Sequence, residues 1–393
     1  MSGTWHSLSP ARFASALSRH PDPAVATAEV VGHVRDHLPA RPSGADHSVS
    51  GPSVAMLFVS GAHIGAIDSI VDAIQALLGP EVLLGTTAVG VVGGAEEIES
   101  GDGVALWAAH EVPAQPFRLE ALPGHPPLLA GLPDEIEPGS VVVVVADPYT
   151  FPIDALVDLL NQDYPSVALV GGLASAPGTA DRNRVVLGAD VHLGGAAGFV
   201  LPPGVAVPIV SQGCRPIGSP WVVTEADGQM MRSLGGRPAL ERLSELIESL
   251  SDADRLTASR GLHVGVVANE LQADFNQGDF LIRGLLGADR SSGAVAVGDQ
   301  LRVGQIIQFQ VRDHESASIE LERLLGGASG RSGLVFTCNG RGTHLFPFAN
   351  HDAERVHDLV GDAVAGMFCA GELGPIADRN AVHGFTATVL VFQ

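Results

Sequence analysis

An apolar strand, an amphipathic helix, a second short strand ending in a polar loop and a closing strand follow one another three times along this chain. That order constrains the fold more than any other feature, because one such unit cannot bury its own helix face and must pack against its copies. The first pass begins at the apolar run 54–59. Ile67, Ile70, Val71, Ile74, Leu77 and Leu78 then share one helical face. The short run 82–84 meets Gly85-Thr86-Thr87, and 104–109 closes the pass. The second pass starts at 141–146, and Pro152 follows at a helix start, where its missing N–H costs nothing. Ile153, Leu156, Val157 and Leu160 form its stripe, 167–170 meets Gly171-Gly172, and 196–201 closes it. The third runs from 334–336 through Val356, Leu359, Val360 and Ala363 to 364–368, then Cys369-Ala370-Gly371-Glu372, and ends with 385–392.

The stretch between the second and third passes reads as a divergent fourth, with strands at 263–268, 280–286 and 305–311 and an insertion at 269–279 in place of the helix. Helices at 238–250 and 316–325 frame it. Four units imply an α/β fold of two similar domains, with mixed β-sheets flanked by helices. Runs such as 141–145 are apolar on both pleat faces, which points to central strands with helices on both sides. Pro202-Pro203-Gly204 breaks the chain and places a boundary near 202–211. The expected organisation is a helix (25–38) and linker over 1–50, one domain over 51–210 and another over 211–393.

Composition narrows the chemistry. With 393 residues, 46% apolar and 17% charged, the chain is core-rich and long enough for two or three domains. No apolar run approaches the roughly 18 residues that cross a bilayer, and residues 1–10 lack the order of a signal peptide, so a cytoplasmic location is expected. A net charge of −22 argues against nucleic-acid and anionic-membrane partners. All 22 basic residues are arginine, which excludes Schiff-base chemistry, a Walker-type loop and a lysine base. Cys214, Cys338 and Cys369 are an odd number and form no C-x-x-C pair, so neither a disulfide framework nor a metal or other cofactor is expected.

The most distinctive local chemistry lies near the C-terminus: Thr337-Cys338-Asn339-Gly340-Arg341-Gly342, Phe368-Cys369-Ala370-Gly371-Glu372-Leu373-Gly374-Pro375, and His383-Gly384-Phe385-Thr386. Each cluster adjoins an apolar run, so strand ends would hold a thiol, a guanidinium, a carboxylate and an imidazole together. These phrases resemble the C-terminal half of the FIST family, a cytosolic sensory module found beside signal-transduction domains. The resemblance extends over roughly 50–393 and is looser before the C-terminal half. It implies a small-ligand-binding protein, the ligand being an amino acid or small carboxylate, with signalling through a protein partner. Thr86 stands where many members of the family carry a smaller residue or Cys.

The residues themselves suggest how such a ligand is held. Arg341 suits a bidentate grip on a carboxylate, with Asn339 as amide donor and acceptor. Glu372, between glycines, suits an ammonium, and Cys338 and His383 complete the pocket, with Arg215 as a second cation. The plainer alternatives are that Arg341 pairs with an internal carboxylate such as Glu372, that Cys338 is a buried small hydrophobe, and that His383 is merely hydrogen-bonded at a strand start. An enzyme using Cys338, His383 and Glu372 as nucleophile, base and orienter is a rival reading; a scaffold without ligand is another.

Overall fold

Strands that are apolar on both pleat faces need cover on both sides, and three of them organise most of this chain. In the computed structural model, which describes residues 12–38, 51–124, 126–270, 272 and 274–393, the strands Val54–Ser60, Val141–Ala146 and Ser332–Cys338 are buried at every position. Each pairs in parallel with the strand reached through a helix: Val82–Ala88 after Ile67–Leu77, Ala168–Leu173 after Ile153–Asp163, and Val364–Cys369 after His351–Val360. On its other edge each pairs antiparallel with a closing strand, respectively Gly103–His110, Ala196–Leu201 and Ala387–Phe392. The fold is α/β with mixed sheets, and the same pairing occurs in all three passes.

The second cover is not a helix. Val54, Met56 and Phe58 share one core with Val141, Val143, Val145, Leu334 and Phe336, so the three sheets face one another. Alternate residues face outward to a helix: Ala55, Leu57 and Val59 meet Ile67, Ile70 and Ile74, and Val142 and Val144 meet Leu156 and Leu160. The expectation of helices on both faces fails because a strand with one crossover has one helix to offer; its other face is satisfied by a neighbouring sheet. Trp107 lies in this shared core, and its indole N–H donates to Ser332 Oγ at 2.6 Å, which satisfies the polar end of a fully buried side chain.

The glycines expected to head loops instead sit inside strands or at their junctions. Gly85, Gly171 and Gly366 are the ladder partners of Leu57, Val144 and Val335 in the three parallel pairs. A Cβ there would lie 2.8, 1.8 and 1.9 Å from the carbonyl oxygen of that partner. Close backbone approach, rather than loop flexibility, therefore requires glycine at one equivalent place in each pass. Gly171 also has φ +143°. Gly171→Ala is expected to destabilise by about 3 kcal/mol or more, at the upper end of overpacking costs, because backbone must move. A urea midpoint unchanged from the parent would refute this account of the glycine.

The chain does not divide as 51–210 and 211–393. One compact unit comprises residues up to Val210 together with Leu324–Gln393, and the other is Ser211–Arg323. The reason is interlocking. Val91–Gly93, from the first pass, pairs with Val364–Cys369 of the third. Glu372–Ile376, from the third, pairs with Ala168–Leu173 of the second. Residues 324–393 thus complete the sheets begun before residue 210.

The second unit is different in kind. Its strands Leu262–Val267, Phe280–Asp289 and Ile306–Arg312 pair only antiparallel among the described residues, so the expected fourth pass is not a strand-helix-strand unit. The described residues of 269–279 form neither helix nor strand. Val223, Leu243, Val264, Phe309 and Val311 make its core with the helix Ala239–Ser249. A further helix, Asp252–Arg260, had no apolar stripe to announce it; it buries no residue and is started by Ser251, whose hydroxyl accepts the Asp254 N–H.

Outside the repeat, the helix expected at 25–38 is Pro23–His37, capped by Asp22 with Pro23 in its first turn. Arg12–Ser18 pairs with Gly103–His110 as an edge strand the sequence did not suggest. The expected linker at 39–50 and the N-terminal residues 1–10 lie outside the described residues. No described helix is long and apolar enough to cross a membrane.

Candidate functional site

Parallel register brings Cys338 and Cys369 opposite each other at the ends of adjacent strands. The backbone then closes a small polar junction around them. Cys338 N–H donates to Thr386 O at 2.9 Å, and Asn339 N–H donates to Cys369 O at 3.0 Å. Thr386 turns back to Glu372: its N–H and hydroxyl donate to the same carboxylate oxygen, Oε2, at 3.1 and 2.8 Å. Phe385, just before it, has φ +69°, a strained conformation for a bulky residue that aims Thr386 at the carboxyl. The cluster is therefore Cys338, Cys369, Glu372 and Thr386, of which only Cys338 and Glu372 were anticipated as site residues.

Glu372 is fully buried. Burial pushes its carboxyl up to about 8, against the two Thr386 hydrogen bonds and the nearby Arg341 charge. The Cys338 thiol hydrogen-bonds this carboxyl as well, which also acts to lower it. Burial and the neighbouring Glu372 likewise push the Cys369 thiol well up, which keeps it a thiol at neutral pH. Gly172 makes room for it, since a Cβ there would lie 2.3 Å from Cys369 Sγ. The surface is close by: Asn339 and Ala370 are exposed, and Gly340, Gly384 and Phe385 are half-buried.

Arg341 does not present its fork to a pocket. Its side chain is fully buried, and Nε and Nη2 each donate to Asp352 at 2.7 Å, a bidentate pair. The internal carboxylate foreseen for it was Glu372; the actual one is Asp352, in the first turn of the helix His351–Val360. Thr337 Oγ1 donates to the same carboxylate at 2.6 Å, His351 Nδ1 lies 2.9 Å from it, and His351 stacks on Phe346 at 3.5 Å. Burial pushes the Asp352 carboxyl up, but the Arg341 charge outweighs it and holds the group far below the usual range. Glu97 caps the same helix by accepting the N–H groups of Asp352 and Ala353, both at 3.0 Å. Burial and the Asp352 charge raise its carboxyl to about 8. Neither Asp352 nor Glu97 was foreseen, although Asn350-His351-Asp352 ahead of an apolar stripe is a helix-start signal.

The remaining expected residues are placed as follows. His383 ends the strand Arg379–His383 rather than beginning the last one; it is the ladder partner of Glu372, and its Nε2 lies 2.8 Å from Gly374 O. Cys338 Sγ accepts the Gly340 N–H at 3.4 Å. Asn339 is on the exposed rim. Arg215 belongs to the second unit, where Asp254 and Asp313 engage it, the latter at 3.3 Å. Two cavities of about 700 and 750 Å³ also open in the first unit, and neither is lined by these residues.

Three mixed sheets interlocked through short strands, with a buried polar cluster where their ends meet, define a two-unit α/β protein. The sequence matches the FIST N domain over residues 53–237 and the FIST C domain over 239–375, and the chain belongs to the FIST family. FIST domains are generally held to be small-ligand sensory domains in signalling proteins. An uncharacterized protein of Mycobacterium tuberculosis (strain ATCC 25618 / H37Rv) is 39% identical over 389 residues, covering 97% of this chain and 99% of its own. One of Mycobacterium bovis is 41% identical over 382 residues, covering 95% and 96%.

Proposed function

We propose that this protein is a cytoplasmic sensory module that binds an amino acid or similar small amine at Glu372 and signals through a protein partner. The observation that carries the reading is the fully buried Glu372 carboxyl, raised to about 8 and held by the Thr386 N–H and hydroxyl and by the Cys338 thiol, two residues in sequence from the exposed Ala370. An ammonium would donate to this carboxyl and supply the charge that ionises it. Asn339 on the rim offers an amide to the rest of the ligand. With Arg341 engaged by Asp352, the support is for recognition through the amine, not through a carboxylate gripped by that arginine. Arg341 instead holds the loop that carries Cys338 and Asn339.

The Cys-dependent enzyme is the weaker reading. The thiol of Cys338 meets the Gly340 N–H, and His383 Nε2 meets a carbonyl.

A thermal-shift screen of amino acids, their N-acetyl forms and small carboxylates tests the proposal. A ligand at 100 times its Kd adds about 2.7 kcal/mol, so a true ligand moves the melting temperature visibly. Amines should stabilise the parent, N-acetylation should remove the effect, and Glu372→Gln should be indifferent to the amine. Stabilisation that survives both changes would place the ligand elsewhere.

A further inference from the structure

The helix Pro23–His37 carries the only two histidines in the chain that stand four residues apart, His33 and His37. The expectation that the chain holds no metal takes it to have no H-x-x-x-H pair, but His33-Val34-Arg35-Asp36-His37 is one, and that spacing puts both rings on one helical face, as in helical zinc sites. Both residues are exposed, and their rings stack with centroids 4.0 Å apart and planes inclined by 15°. Both line the cavity of about 750 Å³, along with Glu29, Phe13, Arg331 and Asp362.

The hydrogen bonding selects a tautomer. His37 Nδ1 lies 2.9 Å from the backbone carbonyl of His33, and a carbonyl only accepts. The neutral His37 ring therefore carries its proton on Nδ1 and its lone pair on Nε2. A ligating histidine typically shows this arrangement, in which the second ring nitrogen donates to a carbonyl and fixes the ring. Two imidazole nitrogens bound tetrahedrally at about 2.0–2.1 Å lie roughly 3.3 Å apart. The stacked, nearly parallel rings must turn about their side-chain bonds to aim one nitrogen each at a common ion, and both side chains are exposed. Glu29, one further turn back on the same face, adds negative charge to the cavity wall, and the chain's net charge of −22 concentrates cations around it.

We propose that His33 and His37 form a binding site for a late first-row divalent cation, Zn²⁺, Ni²⁺ or Cu²⁺. Imidazole selects these ions over Mg²⁺ and Ca²⁺, which prefer oxygen ligands. Among the described residues no group of three ligating side chains is placed to hold a metal. The site is thus a two-histidine chelate whose other positions take water or a small donor from solution. It is separate from the Glu372 cluster, so it stands or falls independently of the ligand reading.

Calorimetric titration of the full chain with NiCl₂, ZnCl₂ and MgCl₂ tests the site. Saturable one-to-one binding is expected for Ni²⁺ and Zn²⁺ and none for Mg²⁺. His33→Ala and His37→Ala should each weaken binding by about tenfold or more, since losing even an outer-shell partner costs that much. Both residues are exposed, so the variants should fold normally; an unchanged circular-dichroism melt checks this. With Cu²⁺, electron paramagnetic resonance should show two coordinated nitrogens in the parent and one in each variant. Unaltered Ni²⁺ affinity in the double variant, or no saturable binding in the parent, would overturn the proposal.

Discussion

Arg341→Ala should destabilise the first unit by about 3–5 kcal/mol, the usual cost of stranding one charge of a buried pair. The partner left behind is Asp352, whose two oxygens receive the Arg341 fork and which is itself buried. Thr337, which bonds the same carboxylate, is uncharged and cannot replace the lost charge. Urea unfolding followed by the fluorescence of Trp107, buried in the shared core, measures the effect in the unit that contains the pair. Asp352→Ala should cost a similar amount, and the double variant should cost less than the sum, because the two singles share one interaction. Arg341→Ala within about 1 kcal/mol of the parent would mean a solvated, exchangeable pair and would restore Arg341 as a ligand contact. The acid limb should move as well. The Asp352 carboxyl is depressed in the folded state, so its stabilisation is present above the ordinary value of 3.8 and lost as pH falls through the folded value. Removing Arg341 should shift that loss to higher pH.

Stability should also decline as pH rises from about 5 to 8, opposite to the usual behaviour of carboxylates. Glu372 and Glu97 are each raised from 4.5 to about 8 in the folded state. Between those values the folded chain holds protons that the unfolded chain has released. Their contribution is fully present below about 4.5 and is lost as pH climbs through about 8. Each group gives a slope of about 1.4 kcal/mol per pH unit within that window. Asp352 does not mask the trend, because its window lies below 3.8. Glu372→Gln stays neutral and can accept both Thr386 donors through its amide oxygen, so it should roughly halve the slope. Glu97→Gln together with Glu372→Gln should nearly flatten it. A parent whose melting temperature rises across this range would show that both carboxyls ionise in the fold. An amine bound at Glu372 should release a proton, and that proton should appear as a buffer-dependent heat of binding.

The repeat was legible because each pass writes its own pattern locally. The stripe Ile67, Ile70, Val71 and Ile74 predicts the helix Ile67–Leu77, and Ile153, Leu156, Val157 and Leu160 predict Ile153–Asp163. Arg12–Ser18 and Asp252–Arg260 were not legible, since one takes its order from pairing and the other from a serine cap. In the candidate site, Cys338 and Glu372 could be anticipated from their place at strand ends. Cys369 and Thr386 stood in the same phrases, but nothing in the order of residues shows that Thr386 folds back onto Glu372. The partner of Arg341 was open to every carboxylate in the chain.

Sequence by itself determined the α/β class, the three strand-helix-strand passes, the absence of lysine chemistry and the membership in the FIST family. These follow from periodicity, composition and motif, all of which are properties of neighbouring residues. Tertiary structure alone decided that the sheets face one another and that residues 324–393 close the N-terminal unit. It also decided that Arg341 answers Asp352 while Thr386 and Cys338 answer Glu372. Burial and pairing between distant segments set those outcomes, because the dielectric around a charge and the partner it meets depend on which sheets pack together.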